Sequence, residues 1–219
     1  MVRRTVASAG EVGKRHRAGL RYHGDMYVGH LELTAPLWWT VQGVLTPEEC
    51  AGHIARYQRA QPELAPVIRT DGVGLDPEIR NNTRIMWDDA AEADGLLARV
   101  RARMAEDGRS FPARFHGGAL THANPRLRVY RYGPAEKHTA HWDTEVALPE
   151  GAVTRVTLVV YLNDDFEGGE TDFPELDVRV APARGMALVF QHRVLHQACE
   201  VTRGAKFVLR TDVAYAARG

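Results

Sequence analysis

Cysteine is nearly absent from this chain of 219 residues: Cys50 and Cys199 are the only two. Two thiols do not build a disulfide framework, so stability must come from a buried core, and a reducing, cytoplasmic setting is expected. No apolar run approaches the roughly 18 residues that span a bilayer, which excludes a helical membrane anchor from the reading. No apolar stretch follows the N-terminal arginines either, so a secretory leader is not expected. An excess of one charge is missing as well. The 28 basic residues balance the 28 acidic ones, which counts against a protein that coats nucleic acid. Internal repeats and low-complexity tracts are not found. At 44% hydrophobic and 26% charged residues, the composition is that of a folded domain. Histidine is plentiful, with ten residues, and that leaves room for a metal site.

The chain divides by pattern. Residues 1–24 carry Arg3, Arg4, Lys14, Arg15, Arg17 and Arg21 against Glu11 alone, without periodicity, and read as a flexible basic arm. Residues 25–219 read as a single domain, a helical support region over about 25–111 followed by a β-rich core over about 112–219. Met26–Leu33 and Trp38–Val44 predict short strands. Thr46-Pro47-Glu48-Glu49 is a helix start, with a capping threonine, proline at the first helical position and a glutamate that completes a capping box. That helix should end near Ala60, before Pro62. A second helix starts near Asp88–Asp89, carries Leu96, Leu97, Val100 and Met104 at helical spacing, and stops at Gly108. Residues 62–83 are rich in Pro, Gly, Asp and Asn and predict an irregular loop. From residue 112 the pattern turns to short strands, Arg126–Tyr132, Thr154–Leu162, Asp177–Val180, Met186–Phe190 and Lys206–Tyr215, parted by turn chemistry. The fold class expected is mainly β with flanking helices (α+β), an antiparallel sandwich or barrel.

Two strands have faces of different character, because strand side chains alternate. Val156, Leu158, Val160 and Leu162 make one apolar face, opposite Arg155, Thr157, Val159 and Tyr161. Phe207, Leu209 and Val213 oppose Lys206, Val208, Arg210 and Asp212. Either the polar faces meet solvent, or the helices cover the apolar faces and the mixed ones line an interior that binds a ligand.

His141-Trp142-Asp143 follows the Arg126–Tyr132 strand, and His196 lies 53 residues beyond Asp143. In an extended segment residues 141 and 143 point the same way, so an imidazole and a carboxylate converge. A His-x-Asp alone arises by chance in many proteins and equally describes a strand end without metal. With His196 it would make a facial set of two histidines and one carboxylate, which leaves positions open on an octahedral ion, as in non-haem Fe(II) oxygenases. A 2-oxo acid chelates such an ion through its keto and carboxylate oxygens. A diacid then leaves a distal carboxylate in need of a cation and a hydroxyl. Lys206, ten residues after His196, and Tyr161 meet that need. Arg210 shares the face of Lys206 and carries the same charge. The pair His192 and His196 has the i, i+4 spacing of a helical zinc site, but the preceding run reads as a strand.

The ordered set Tyr132-Gly133-Pro134, His141-Trp142-Asp143, Tyr161-Leu162-Asn163, Gly168-Gly169-Glu170-Thr171-Asp172-Phe173, Gly185 to Phe190, His196 and Val201 to Asp212 resembles the Fe(II)- and 2-oxoglutarate-dependent dioxygenases. Within that family it is most similar to the prolyl 4-hydroxylase-like branch. The resemblance covers roughly residues 126–215. It implies a double-stranded β-helix, or jelly roll, with N-terminal helices packed on the major sheet. It implies Fe(II) held by His141, Asp143 and His196, 2-oxoglutarate as cosubstrate, and ascorbate as a candidate reductant. Lys206, Tyr161 and Tyr132, with Arg210 as the competing cation, fall at cosubstrate-binding positions. The implied activity is hydroxylation of an unactivated C–H bond of a prolyl or other small-molecule or peptide substrate, with release of succinate and carbon dioxide. Arg80-Asn81-Asn82-Thr83-Arg84 resembles a segment ahead of the core in bacterial members, which makes Arg80, Asn82 and Arg84 candidates for substrate binding. His138 joins them: it stands where prolyl hydroxylases commonly have tyrosine, a departure that bears on the substrate side. The alternative class is a jelly-roll module that binds a metal or a small acid without turnover.

Overall fold

The computed structural model describes residues 30–69 and 72–217. The basic arm and the first residues of the Met26–Leu33 strand lie outside the described residues. Helix α1 (Pro47–Arg59) begins as the capping box requires: Glu49 N donates to Thr46 Oγ1 and the Glu49 carboxylate accepts from Thr46 N. Helix α2 (Ala90–Glu106) is capped by Asp89, whose carboxylate accepts from Glu92 N. Gly108, at φ +68°, turns the chain after it.

Among the described residues, nine antiparallel strands form the major sheet. Its central order is Trp38–Val41, Ala187–Gln191, Ala152–Tyr161, Lys206–Ala216, Arg126–Tyr132, Thr83–Asp88 and Glu63–Leu64. Facing it is a four-stranded sheet in the order Val178–Val180, Thr171–Phe173, His196–Ala198, His138–His141. Together they make the expected jelly roll. Val156, Leu158, Val160, Leu162, Leu209 and Val213 pack in one core with Ala93, Leu96, Leu97, Val100 and Met104 of α2 and with Cys50 and Tyr57 of α1. Each fully buried Leu or Val there contributes roughly 1.5–3 kcal/mol. The helices therefore cover the apolar faces, and the mixed faces line the interior, where Tyr130, Tyr132, Tyr161, Phe190 and Val208 form a second cluster.

Several elements differ from the sequence expectation. Residues 62–83 are not all irregular: Glu63–Leu64 joins the major sheet, and Val67–Arg69 pairs with Gly72–Gly74 as a hairpin. His30–Leu33 is not a strand, and the strand begun at Trp38 ends at Val41, ahead of the turn at Gly43 (φ +62°). The segment up to residue 111 supplies strands as well as helices, Thr83–Asp88 among them, paired to Arg126–Tyr132. A groove of about 630 Å³ lies between α1 and α2, and two ion pairs flank it, Arg56 with Glu92 at 3.2 Å and Arg99 with Glu49 at 2.6 Å. No helix among the described residues is long and apolar enough to cross a membrane.

Candidate metal centre

His141 ends one strand of the minor sheet and His196 begins its neighbour, and the two are cross-strand partners in register. Residues directly opposite on antiparallel strands carry side chains close together, so the ladder itself brings the two imidazoles side by side, ring centroids 4.2 Å apart. Asp143 lies just past the strand end, fixed by a hydrogen bond from its amide to the His192 carbonyl at 2.9 Å. Donor atoms of His141, Asp143 and His196 all lie within 4.8 Å of one another. His141 Nε2 is 3.8 Å from Asp143 Oδ1, and His196 Nε2 is 3.6 Å from Oδ2.

The hydrogen bonds of the outer ring nitrogens leave the inner ones free for a metal. His141 Nδ1 lies 2.7 Å from the Thr139 carbonyl and His196 Nδ1 lies 3.0 Å from the Val194 carbonyl. A carbonyl only accepts, so Nδ1 carries the proton and Nε2 presents its lone pair toward Asp143. Burial, and then the neighbouring His196, pulls the His141 imidazole down to about 3; burial also lowers His196. Both rings are neutral at physiological pH, the form that ligates. Burial alone would raise the Asp143 carboxyl, but Arg210 and the histidines hold it well below the usual carboxylate range. Thr157 Oγ1 donates to Asp143 Oδ2 at 2.5 Å, and Arg210 Nη2 lies 2.9 Å from Oδ1. Two neutral imidazoles and a fixed carboxylate are a donor set for a divalent first-row metal.

A narrow cavity runs inward from these residues between the mixed faces, lined by Tyr132, Thr157, Tyr161, Thr171, Lys206 and Arg210 among others. Lys206 is 2% exposed. Its Nζ donates to the Gly169 carbonyl at 2.6 Å and lies 5.2 and 5.5 Å from the ring centroids of Tyr132 and Tyr161. No ion pair of Lys206 with a carboxylate occurs among the described residues, and burial pulls its ammonium down to about 8. Gly169 has φ +68°, and a Cβ there would meet Lys206 Cδ at 3.2 Å, so glycine is what lets the lysine pass. Tyr161 and Thr171 share a hydrogen bond of 2.7 Å between their hydroxyls. Burial pushes the Tyr132 phenol up to about 12. Arg210 is engaged differently from Lys206: besides Asp143, its Nη2 donates to Asp212 Oδ1 at 3.1 Å. Asp212 Oδ2 in turn accepts from Arg128 Nη1 at 3.3 Å.

The structure separates the other candidates. His138 stacks on His141 with centroids 3.5 Å apart. Arg80 lies where the cavity opens into an outer groove of about 340 Å³. Arg84 is on the wall of that groove and pairs with Glu63 at 2.9 Å. Asn82 is completely buried and lines neither space; its Oδ1 accepts from Arg80 Nε at 2.8 Å. His192 sits in a turn, 3.6 Å from Asp212, so the helical zinc pair does not form. Thr157, Thr171, Tyr130 and Asp212 were not among the sequence candidates. Thr157 and Asp212 stand on the mixed faces of the two strands, and alternation from Tyr161 and Lys206 points to them.

Residues 127–211 match the family described as the 2OG-Fe(II) oxygenase superfamily. The chain is 25% identical over 189 residues to prolyl 4-hydroxylase 1 of Arabidopsis thaliana, covering 74% of this chain and 63% of that protein. It is 33% identical over 153 residues to a PKHD-type hydroxylase of Sphingopyxis alaskensis, covering 65% of this chain and 66% of that one. The chain thus spans just under two thirds of the length of either relative. The fold is similar to the crystal structure of viral collagen prolyl hydroxylase from Paramecium bursaria Chlorella virus-1 in its 2OG complex, with TM-score 0.58 and 18% identity, covering 84% of this chain and 98% of that one.

Proposed function

We propose that this chain, which belongs to the 2OG-Fe(II) oxygenase superfamily, is an Fe(II)- and 2-oxoglutarate-dependent dioxygenase that hydroxylates an unactivated C–H bond of a prolyl residue or a related small molecule. Substrate R–H, 2-oxoglutarate and dioxygen go to R–OH, succinate and carbon dioxide. The observation that carries this reading is a donor triad opening onto a cavity that contains a buried ammonium in no ion pair among the described residues. His141, Asp143 and His196 would hold Fe(II), and bound there with 2-oxoglutarate the iron supplies the oxidising power.

The residues around it do the rest. The Thr139 and Val194 carbonyls set the histidine tautomers, and Thr157 and Arg210 fix the carboxylate. Lys206 is the cation for the distal carboxylate of 2-oxoglutarate, with Tyr132 packed beside it. The hydroxyl pair of Tyr161 and Thr171 adds a donor at the same end. The contacts of Arg210 with Asp143 and Asp212 support Lys206 over it in that role. The aromatic and aliphatic lining keeps water away from the reacting bond. Ascorbate would serve as reductant, and the free Cys50 and Cys199 suit a reducing, cytoplasmic compartment.

Succinate formation from 2-oxoglutarate, measured with a panel of prolyl peptides and free amino acids, tests the reading. Turnover is expected to require Fe(II) and to vanish in His141→Ala and Asp143→Ala. Iron-independent turnover, or turnover that survives either substitution, would contradict it.

A further inference from the structure

The charges around the triad do not balance. Among the described residues, Arg80, Arg128 and Arg210 line the outer groove together with two carboxylates, Asp143 and Asp212; Arg84 and Arg126 are paired off with Glu63 and Asp88. Arg128 and Arg210 share Asp212, and Arg210 also binds Asp143. Arg80 has no carboxylate partner among the described residues. Its Nε donates to Asn82 Oδ1 at 2.8 Å, its Nη1 to the Pro66 carbonyl at 3.3 Å, and its guanidinium lies 4.7 Å over the Tyr130 ring. The fully buried Asn82 thus holds it in place without neutralising it. Burial would raise the Tyr130 phenol, yet Arg80, Arg210 and Arg128 bring it down to about 8.

Loading the site as read above does not relieve the excess. The charges of Fe(II) and dianionic 2-oxoglutarate cancel. Among the described residues, three guanidinium groups and the Lys206 ammonium then face Asp143 and Asp212, with Glu170 acting on Lys206, and a net positive charge remains in a poorly solvated space. Unpaired charge in such a place is costly, and an arriving anion removes the cost. A guanidinium is the group that binds a carboxylate through a planar fork.

We propose that the substrate is a small molecule with a free carboxylate, seated against Arg80 where the groove meets the iron cavity, so that the enzyme acts on acids in preference to the matching neutral amides. This rests on the dioxygenase reading. A groove of about 340 Å³ suits a small molecule rather than a long peptide. Arg80, His138 and His141 line both the groove and the cavity, so an acid held by Arg80 presents its nearby carbon to the metal.

The test uses the full chain loaded with Mn(II) and saturating 2-oxoglutarate in the absence of oxygen, with both loadings measured first. It is titrated with N-acetyl-L-proline, phenylacetate and butyrate, each against its primary amide, and binding is read by ligand NMR. At least one acid is expected to bind tenfold or more tightly than its amide. Arg80→Gln is expected to erase that preference and Arg80→Lys to keep part of it. If no acid is preferred, or if the preference survives Arg80→Gln, the proposal is overturned while the dioxygenase reading stands. If the wild-type chain binds neither Mn(II) nor 2-oxoglutarate, the dioxygenase reading falls and takes this proposal with it.

Discussion

The ammonium of Lys206 sits inside the barrel, and burial pulls it down to about 8 from the usual lysine value. Below that pH the group is charged and attracts a dianion; above it the neutral amine dominates. Affinity for 2-oxoglutarate should therefore be flat up to about pH 7 and then fall about tenfold per unit above pH 8. Calorimetry across that range checks it. Lys206→Met should flatten the profile and weaken binding at pH 7 by about ten- to a hundredfold, since a hydrogen bond to a charged group contributes about 1.5–3 kcal/mol. If the wild-type profile stays level through pH 9, Lys206 does not bind the cosubstrate. Thr157 gives a second residue-scale prediction. Its hydroxyl orients Asp143, and loss of such outer partners costs about ten- to a hundredfold in metal affinity. Thr157→Val should weaken Co(II) binding by that factor while the melting temperature of the metal-free protein stays nearly constant. Equal Co(II) affinity in the two proteins would show that the hydroxyl does not matter.

At the scale of elements, what could be read from the chain depended on whether the signal was local. Both helices were legible because capping and termination are written within a few residues: Thr46 with Glu49, Asp89, Gly108. The Arg126–Tyr132 strand was legible by its length and its flanking turns. The hairpin around residues 67–74 was not, since its strands are three residues each and look like loop chemistry. Thr83–Asp88 escaped notice because it runs directly into the cap of α2 and gains its identity only by pairing with Arg126–Tyr132. The Gly168-Gly169 turn carries a prediction here. Gly169→Ala places a side chain at φ +68° against Lys206, Phe166 and Val201. It should destabilise the fold by about 1 kcal/mol or more and weaken 2-oxoglutarate binding together with it. Thermal melts and calorimetry check both. Unchanged 2-oxoglutarate affinity would show that the lysine passes the turn without needing glycine there.

For the whole molecule, the two-faced strands were the deciding feature. Periodicity separated Val156, Leu158 and Val160 from Thr157, Val159 and Tyr161, but it could not say which set faced inward. That depended on α1 and α2 packing on the apolar side, a contact between distant parts of the chain. The candidate site was legible to the same extent. His141 and Asp143 share a side by local geometry, whereas the pairing of His141 with His196 is a strand register that sequence alone does not encode. Arg210 was ambiguous in the chain because its partner Asp143 lies on a different segment and only the fold brings it there, whereas Asp212 is its neighbour on the same strand face. Tyr130 and Thr171 had no pattern to mark them; they matter through what they touch.

An anaerobic titration of Fe(II) into the protein with 2-oxoglutarate present, followed by visible absorption, tests the central claim most directly. The account predicts a charge-transfer band that grows to a sharp, stoichiometric end point in the wild type and is lost in Asp143→Ala. A titration without such an end point, or a band of equal strength in Asp143→Ala, would contradict the claim that these three side chains hold the iron.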